Sequence, residues 1–249
     1  MVRAQLLVTR PEYAQASSIR CFESAGYACT SLPLISIEPL NIETQEAATV
    51  RTQFLNLDHY NKVIFISPNA ASIGGRLVDQ FWPQLPIDID WLAIGEGTAQ
   101  ALAKVGIDAR VNMGIDSEAL LDDSQLQELN QQRILIVKGI GGRALLQQKL
   151  EQRGAKVELA EVYKRTACKY DPQRLKSELN QKPDAILITS GEALEILQET
   201  PLPFAKNDSL LVVPSARIAK MAISLGFSQV VTSNGASDSA MVNCLNTVY

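Results

Sequence analysis

The sequence predicts an α/β protein made of two similar lobes with parallel, flavodoxin- or Rossmann-like sheets. Three observations lead there. Apolar runs of strand length recur at 4–8, 62–66, 91–94, 133–137, 184–188 and 209–213, without the polar alternation of a half-exposed sheet. A helix-length stretch follows each run. The pattern also repeats: LLVTRP…ESAGYACTSLPLI matches LIVKGIGGR…EQRGAKVELAEVY, VIFISPNAA matches AILITSGEAL, and WLAIGEGTAQALAKVGI matches LLVVPSARIAKMAISLGF.

The elements follow in order. After the first strand, Pro11 suits a first helical turn, and Ala14, Ile19, Phe22 and Ala25 make an apolar stripe that Gly26 ends. Residues 27–32 read as a strand and 33–37 continue extended. A helix is expected over 41–57. Ser67-Pro68 is an N-cap followed by proline at the first helical position. Gly95-Glu96-Gly97-Thr98 turns into a helix over 99–105, Val111 starts a short strand, and the polar stretch 116–130 is expected to carry a helix. After the fourth long run, residues 138–143 form a glycine-rich turn, followed by a helix over 144–153 and a strand over 157–162. Helices over 192–197, 216–225 and from Gly235-Ala236-Ser237-Asp238 to about 245 complete the chain, with a short strand at Val230-Val231.

Three unit types thus run in the order A, B, C, A, B, C. Periodicity allows tandem lobes of half the chain each. It equally allows a first lobe from the first A unit and the last B and C units, with the middle units forming an inserted lobe between two antiparallel crossings.

Composition narrows the function. The 249 residues are 46% hydrophobic and carry a net charge of −4, with no basic block to suit nucleic acid. Cys21, Cys29, Cys168 and Cys244 form no Cys-x-x-Cys pair and read as reduced thiols of a cytoplasmic protein. His59 is the one histidine, so neither a multi-histidine metal site nor a Ser/His/Asp or Cys/His constellation at the strand ends is expected. No apolar run reaches the roughly 18 residues of a membrane span, and the N-terminal one is too short for a signal peptide.

The glycine motifs are incomplete for nucleotides. Gly95-Glu96-Gly97-Thr98 lacks the third glycine of a dinucleotide fingerprint, and the turn from Lys138 to Arg143 lacks the phosphate-loop spacing. The collective pattern is more telling. Thr9, Ser67, Gly95, Gly139, Ser190 and Ser215 all stand at strand ends, where open parallel sheets bind ligands and helix N-termini favour anions. Each residue alone could be only a helix cap; all six together suit a ligand with several carboxylates or phosphates. Tyr163 is the one residue with proton-transfer chemistry near a predicted junction of lobes.

Taken together, Val8-Thr9-Arg10-Pro11, Ile66-Ser67-Pro68-Asn69-Ala70, Ala93 to Ala99, Gly139 to Arg143, Val162-Tyr163-Lys164-Arg165, Thr189-Ser190-Gly191, Pro214 to Ala219 and Gly235 to Met241 resemble the uroporphyrinogen-III synthase family. The resemblance implies a discontinuous first domain (1–36 and 167–249), an inserted second domain (37–166), a two-stranded linker with crossings near 33–39 and 162–168, and an active-site cleft between the lobes. It implies a lyase that closes hydroxymethylbilane to uroporphyrinogen III through a spiro intermediate, inverting ring D and losing water, in haem and sirohaem biosynthesis. No cofactor or metal is expected. The implied enzyme is a cytoplasmic monomer, with at most transient contact with the upstream hydroxymethylbilane synthase. Tyr163 is the implied general acid, helpful rather than indispensable. Substrate contacts are expected from Thr9, Arg10, Ser67, Asn69, Gly95, Thr98, Gly139, Gly141, Gly142, Arg143, Thr189, Ser190, Gly191, Ser215 and Arg217. The competing reading is a two-lobed binding or sensor module for a small anion.

Overall fold

The structure, a computed structural model, describes residues 2–112, 121, 123, 126–142, 144–179 and 181–249, with only the backbone at 112 and 174. The chain folds into two compact units: Met1–Ser36 with Thr166–Tyr249, and Ile37–Arg165.

Unit 1 holds five parallel strands: β1 (Gln5–Val8), β2 (Ala28–Ser31), β9 (Ala185–Leu187), β10 (Leu210–Val213) and β11 (Val230–Thr232). Their order across the sheet is β2-β1-β9-β10-β11. Helices α1 (Glu12–Ser24), α6 (Pro172–Glu178), α7 (Gly191–Glu199), α8 (Ala216–Ser224) and α9 (Asp238–Leu245) belong to the same unit. Leu6, Val8, Leu187 and Val212 pack with Phe22, Met241 and Leu245 on one face, while Leu7, Ile186 and Leu211 are buried as well. Both faces are therefore apolar, as a sheet covered on two sides requires.

Unit 2 is organised around β4 (Lys62–Phe65), β5 (Asp90–Ile94), β6 (Arg110–Asn112), β7 (Arg133–Gly139) and β8 (Lys156–Ala167). The order is β3-β8-β7-β4-β5-β6, where β3 is Ile35–Pro39. Setting β3 aside, β8-β7-β4-β5-β6 reproduces the order of unit 1 with the A segment moved from first to last in the chain. The two sheets are circular permutations of one arrangement. β3 and β8 run in opposite directions: Leu40 N donates to Val162 O at one end and Cys168 N to Leu34 O at the other, both at 2.9 Å.

Helices α2 (Ala48–Leu55), α3 (Pro68–Phe81) and α4 (Glu96–Ala103) cover one face of sheet 2, on which Val63, Phe65, Leu135 and Val137 project. Ile64, Ile134 and Ile136 project from the other face toward α5 (Leu145–Gln152). α3 lies close to the sheet because a glycine faces it. A Cβ on Gly74 would stand 2.7 Å from Val137 Cγ1 and 3.0 Å from Phe65.

Several boundaries differ from the expected ones, each for a local reason. The helix expected over 41–57 begins only after Asn41, whose side chain accepts from Glu43 N (3.1 Å) and whose carbonyl accepts from Thr44, turning the chain first. β8 runs to Ala167 because β3 extends its ladder. α6 has no counterpart among the expected helices, although Asp171-Pro172 is a cap-and-proline start in which the Asp171 carboxylate accepts from Gln173 N (2.9 Å). Most of the helix expected over 116–130 falls outside the described residues.

Charged side chains tie the amino edge of sheet 2. Asp90, at the start of β5, takes Lys62 and Arg110 at 3.0 Å each. Glu158 accepts from Arg133 (2.8 Å), Tyr60 (2.8 Å) and Gln53 (3.4 Å), and the Arg133 guanidinium lies 5.0 Å over the Tyr60 ring. Burial alone would raise the Glu158 carboxyl. The hydrogen bonds from Arg133, Tyr60 and Gln53 and the Arg133 charge outweigh it and hold the carboxyl below its ordinary value.

A carboxyl held below its unfolded value stabilises at neutral pH, and the contribution is lost as pH falls through the folded pKa. Glu158→Gln should therefore cost about 1 kcal/mol at pH 7, a discounted figure because the side chain is 40% exposed. Paired melts of the two proteins should converge as pH drops below roughly 4; a gap that stays constant with pH would count against the ionic account. Gly74→Ala gains helix propensity of up to about 1 kcal/mol. It nonetheless forces a methyl against Val137, a β-branched strand residue with little rotameric freedom, so net destabilisation of about 1–2 kcal/mol is expected in denaturant titration.

Candidate active site

Because the strands in each five-stranded set are parallel, the turns that follow them share one edge. On sheet 1 that edge carries Thr9 and Arg10 after β1, Thr189-Ser190-Gly191 after β9, Ser215 and Arg217 after β10, and the 233–238 turn after β11. On sheet 2 it carries Ser67 and Asn69 after β4, Gly95 to Thr98 after β5, and Gly139 to Gly142 at the end of β7, with Tyr163 beside them on β8. In each sheet the chain order reverses at one place, between β1 and β9 and between β7 and β4. That reversal is where doubly wound sheets hold ligands.

The serines do cap helices. Ser67 Oγ accepts from Ala70 N (3.1 Å), Ser190 from Ala193 N (3.1 Å), Ser215 from Ile218 N (3.5 Å) and Ser237 from Ala240 N (3.2 Å). Each cap satisfies one amide of the first turn, and the others point out of the helix end with its partial positive charge. Gly95 caps α4 with φ 76° and ψ 157°, a region open essentially to glycine alone, and so α4 starts at Glu96 rather than at 99. Gly141 and Gly142 both have positive φ, 76° and 86°, and Gly141 N donates to the Glu161 carboxylate at 3.2 Å.

Two of the expected contact residues are turned inward. Thr9 Oγ1 donates to Leu187 O (2.6 Å) and Thr98 Oγ1 to Ile94 O (2.7 Å), and both residues are buried. Their hydroxyls fasten the sheet edge. Arg143 lies outside the described residues. Asn69 is half-buried at the start of α3. Arg217 is exposed, and a Cβ built on Gly191 would lie 3.9 Å from its Nη1, so its guanidinium reaches the start of α7.

Arg10 and Tyr163 are the best-held polar groups of the two edges. The Arg10 guanidinium pairs with Asp238 at 2.7 Å and donates to the Ala236 carbonyl, and Ser18 donates to the other Asp238 oxygen at 2.9 Å. Sequence reading misses Asp238 and Ser18, because each partner of Asp238 lies more than 200 positions away from it. Tyr163 is 5% exposed, its hydroxyl 3.3 Å from Ser67 Oγ, and its ring rests on Gly139, where a Cβ would meet two ring carbons at 2.6 Å. Ile140 N donates to Tyr163 O at 2.8 Å.

All four cysteines are free and half-buried; burial, with the Glu23 charge second, pushes the Cys29 thiol up to about 12, and burial raises Cys244 too. A thiol in that state is no nucleophile at neutral pH. Among the described residues, no group of three or more His, Cys, Asp and Glu could hold a metal ion, and no helix is long and apolar enough to cross a membrane.

Comparison with known proteins places this geometry. The family model described as uroporphyrinogen-III synthase HemD matches residues 16–243. The uroporphyrinogen-III synthase of Salmonella typhimurium is 30% identical over 247 residues, covering 96% of this chain and 99% of the relative. That of Escherichia coli is 30% identical over 251 residues, with the same coverage of 96% and 99%. The crystal structure of the Helicobacter pylori uroporphyrinogen-III synthetase shares the fold at a TM-score of 0.62 with 15% identity, covering 99% of this chain and 100% of that one. A mutant Thermus thermophilus uroporphyrinogen III synthase gives 0.61 with 15% identity, covering 98% of each chain. With the strand-end edges, the permuted sheets and a family match that spans nearly the whole sequence, the chain belongs to the uroporphyrinogen-III synthase family.

Proposed function

We propose that the chain is a lyase that converts hydroxymethylbilane to uroporphyrinogen III, inverting ring D and releasing water, on the route to haem and sirohaem. The family match over residues 16–243 carries this reading. The arrangement of Tyr163 beside Ser67 at a strand edge supports it chemically. It implies a cytoplasmic enzyme acting as a monomer without cofactor, in at most transient contact with the synthase that makes the bilane.

The chemistry asks little covalent work of the protein. The hydroxyl of the bilane's hydroxymethyl group takes a proton and leaves as water, which creates an azafulvene cation on the methylene that remains. Ring D is attacked at its substituted carbon, the spiro intermediate rearranges, and the closed macrocycle loses a proton. One proton is delivered and one returned, so the donor ends as it began. Without control the bilane closes without inversion to the type I isomer. Selection between closures is therefore a matter of holding the chain in one geometry.

The handles are the eight carboxylates of the substrate. The first-turn amides of α3, α4, α7 and α8, together with Arg10 and Arg217, offer anion-binding groups at the strand edges. Ser67, Asn69, Gly95, Gly141, Gly142, Thr189, Ser190, Gly191 and Ser215 shape the turns that carry those amides, and Thr9 and Thr98 act by bracing the edge from within. Tyr163 supplies the proton to the departing hydroxyl, with Ser67 fixing its phenol.

The test supplies hydroxymethylbilane and oxidises the products to porphyrins. The type III isomer should dominate with the protein present. A product that stays type I, as in its absence, would overturn the assignment. Tyr163→Phe should slow turnover by roughly 10–100-fold without abolishing it, the loss expected of one general acid beside strong positioning effects. Unchanged turnover in that variant would remove Tyr163 from the proton transfer.

A further inference from the structure

The ladder between β7 and β8 carries an irregularity at the site. Lys138 pairs with Glu161, but the next residue, Gly139, pairs with Tyr163, so Val162 is an extra residue on β8. Successive strand residues normally point to opposite faces. Here Val162 and Tyr163 are both buried in the same cluster as Ala160, Phe65, Val137 and Ala71. The bulge has turned the Tyr163 side chain onto the α2–α3 face, where Ser67 caps α3. With a regular pleat it would face the α5 side.

Gly139 completes that arrangement. A Cβ there would lie 2.6 Å from two carbons of the Tyr163 ring and 3.0 Å from its hydroxyl oxygen. The ring is buried and cannot swing into solvent. Backbone conformation does not explain a glycine at this point. Its φ lies outside the left-handed region, unlike those of Gly141 and Gly142, and glycine within a strand is a weakness unless something must approach closely.

β1 and β7 are equivalent strands of the permuted sheets; Val8 pairs with Leu187 as Val137 pairs with Phe65. Two residues further on stand Arg10 in unit 1 and Gly139 in unit 2. Arg10 lies beyond the end of β1, whereas Gly139 is still paired on β7, against the Tyr163 ring.

We propose that Gly139 is a positioning residue: its missing side chain, together with the bulge at Val162, seats the Tyr163 ring so that the phenol meets Ser67 at the strand edge. The inference rests on the reading of Tyr163 as proton donor and assigns Gly139 a task other than contact with substrate.

A mutant cycle tests it. Gly139→Ala should lower kcat by roughly 10–100-fold, about as much as Tyr163→Phe, with KM changed by less than about twofold. In the Tyr163→Phe background the same alanine should cost less than about twofold in kcat. Losses that multiply, or a loss carried by KM, would mean that Gly139 acts on the substrate directly, and would overturn the proposal. Thermal melts cover the case in which Gly139→Ala folds poorly. The alanine should lower the Tm of the parent but leave that of Tyr163→Leu unchanged, because the smaller side chain vacates the space. An equal loss in both backgrounds would show that the clash is not with Tyr163. Should Tyr163→Phe itself keep full turnover, the proton-donor reading fails alone, and the melts still decide whether Gly139 seats the ring.

Discussion

A parallel strand cannot turn straight back into its neighbour. Every strand must be followed by a crossover, and in this chain each crossover starts at the same edge of its sheet. That constraint gathers the strand-end turns of each unit into one row. It also sets helix starts rather than helix ends along the row, so the amides there face outward with a favourable dipole for anions. The opposite, amino edge is free for structural pairing, and Asp90 and Glu158 gather their cations and hydrogen bonds there. The outward-facing helix amides and the stabilising ion pairs of sheet 2 thus lie on opposite edges.

The two sheets solve the same problem with different chain orders. Because β2-β1-β9-β10-β11 and β8-β7-β4-β5-β6 are the same arrangement permuted, equivalent positions can be compared within one molecule. The comparison shows which positions the two sheets share and where they part. Both units keep a serine cap after the strand that neighbours the switch point, Ser67 and Ser190. They diverge two residues after Val8 and Val137: Arg10 is drawn to Asp238 and Ala236, while Gly139 packs against Tyr163. One edge thereby carries a fixed cation and the other a fixed phenol.

Much of this is legible without coordinates. The buried strands, the Ser67-Pro68 cap and the repeat of A, B and C segments lie in local sequence, because periodicity and capping act over a few residues. The helix after Asn41 starts later than its period suggests because an Asn side chain competes for the backbone. α6 escapes sequence reading because the Asp171-Pro172 signal precedes a short, mostly polar segment. Thr9 and Thr98 look like ligand contacts since a strand-end hydroxyl reads the same whether it faces outward or fastens the sheet beneath it.

Sequence alone carried the resemblance to the family and determined the alternation of elements and the identity of the strand-end residues. Those depend on short-range hydrophobic period and turn chemistry. Where periodicity left two arrangements open, the tertiary structure shows which A segment joins which sheet, since hydrogen-bond ladders pair Val8 with Leu187 across most of the chain. It alone set the direction in which Tyr163 points. One extra residue in β8 reverses the face of a side chain, and no period of the sequence records a bulge that exists only against the register of β7.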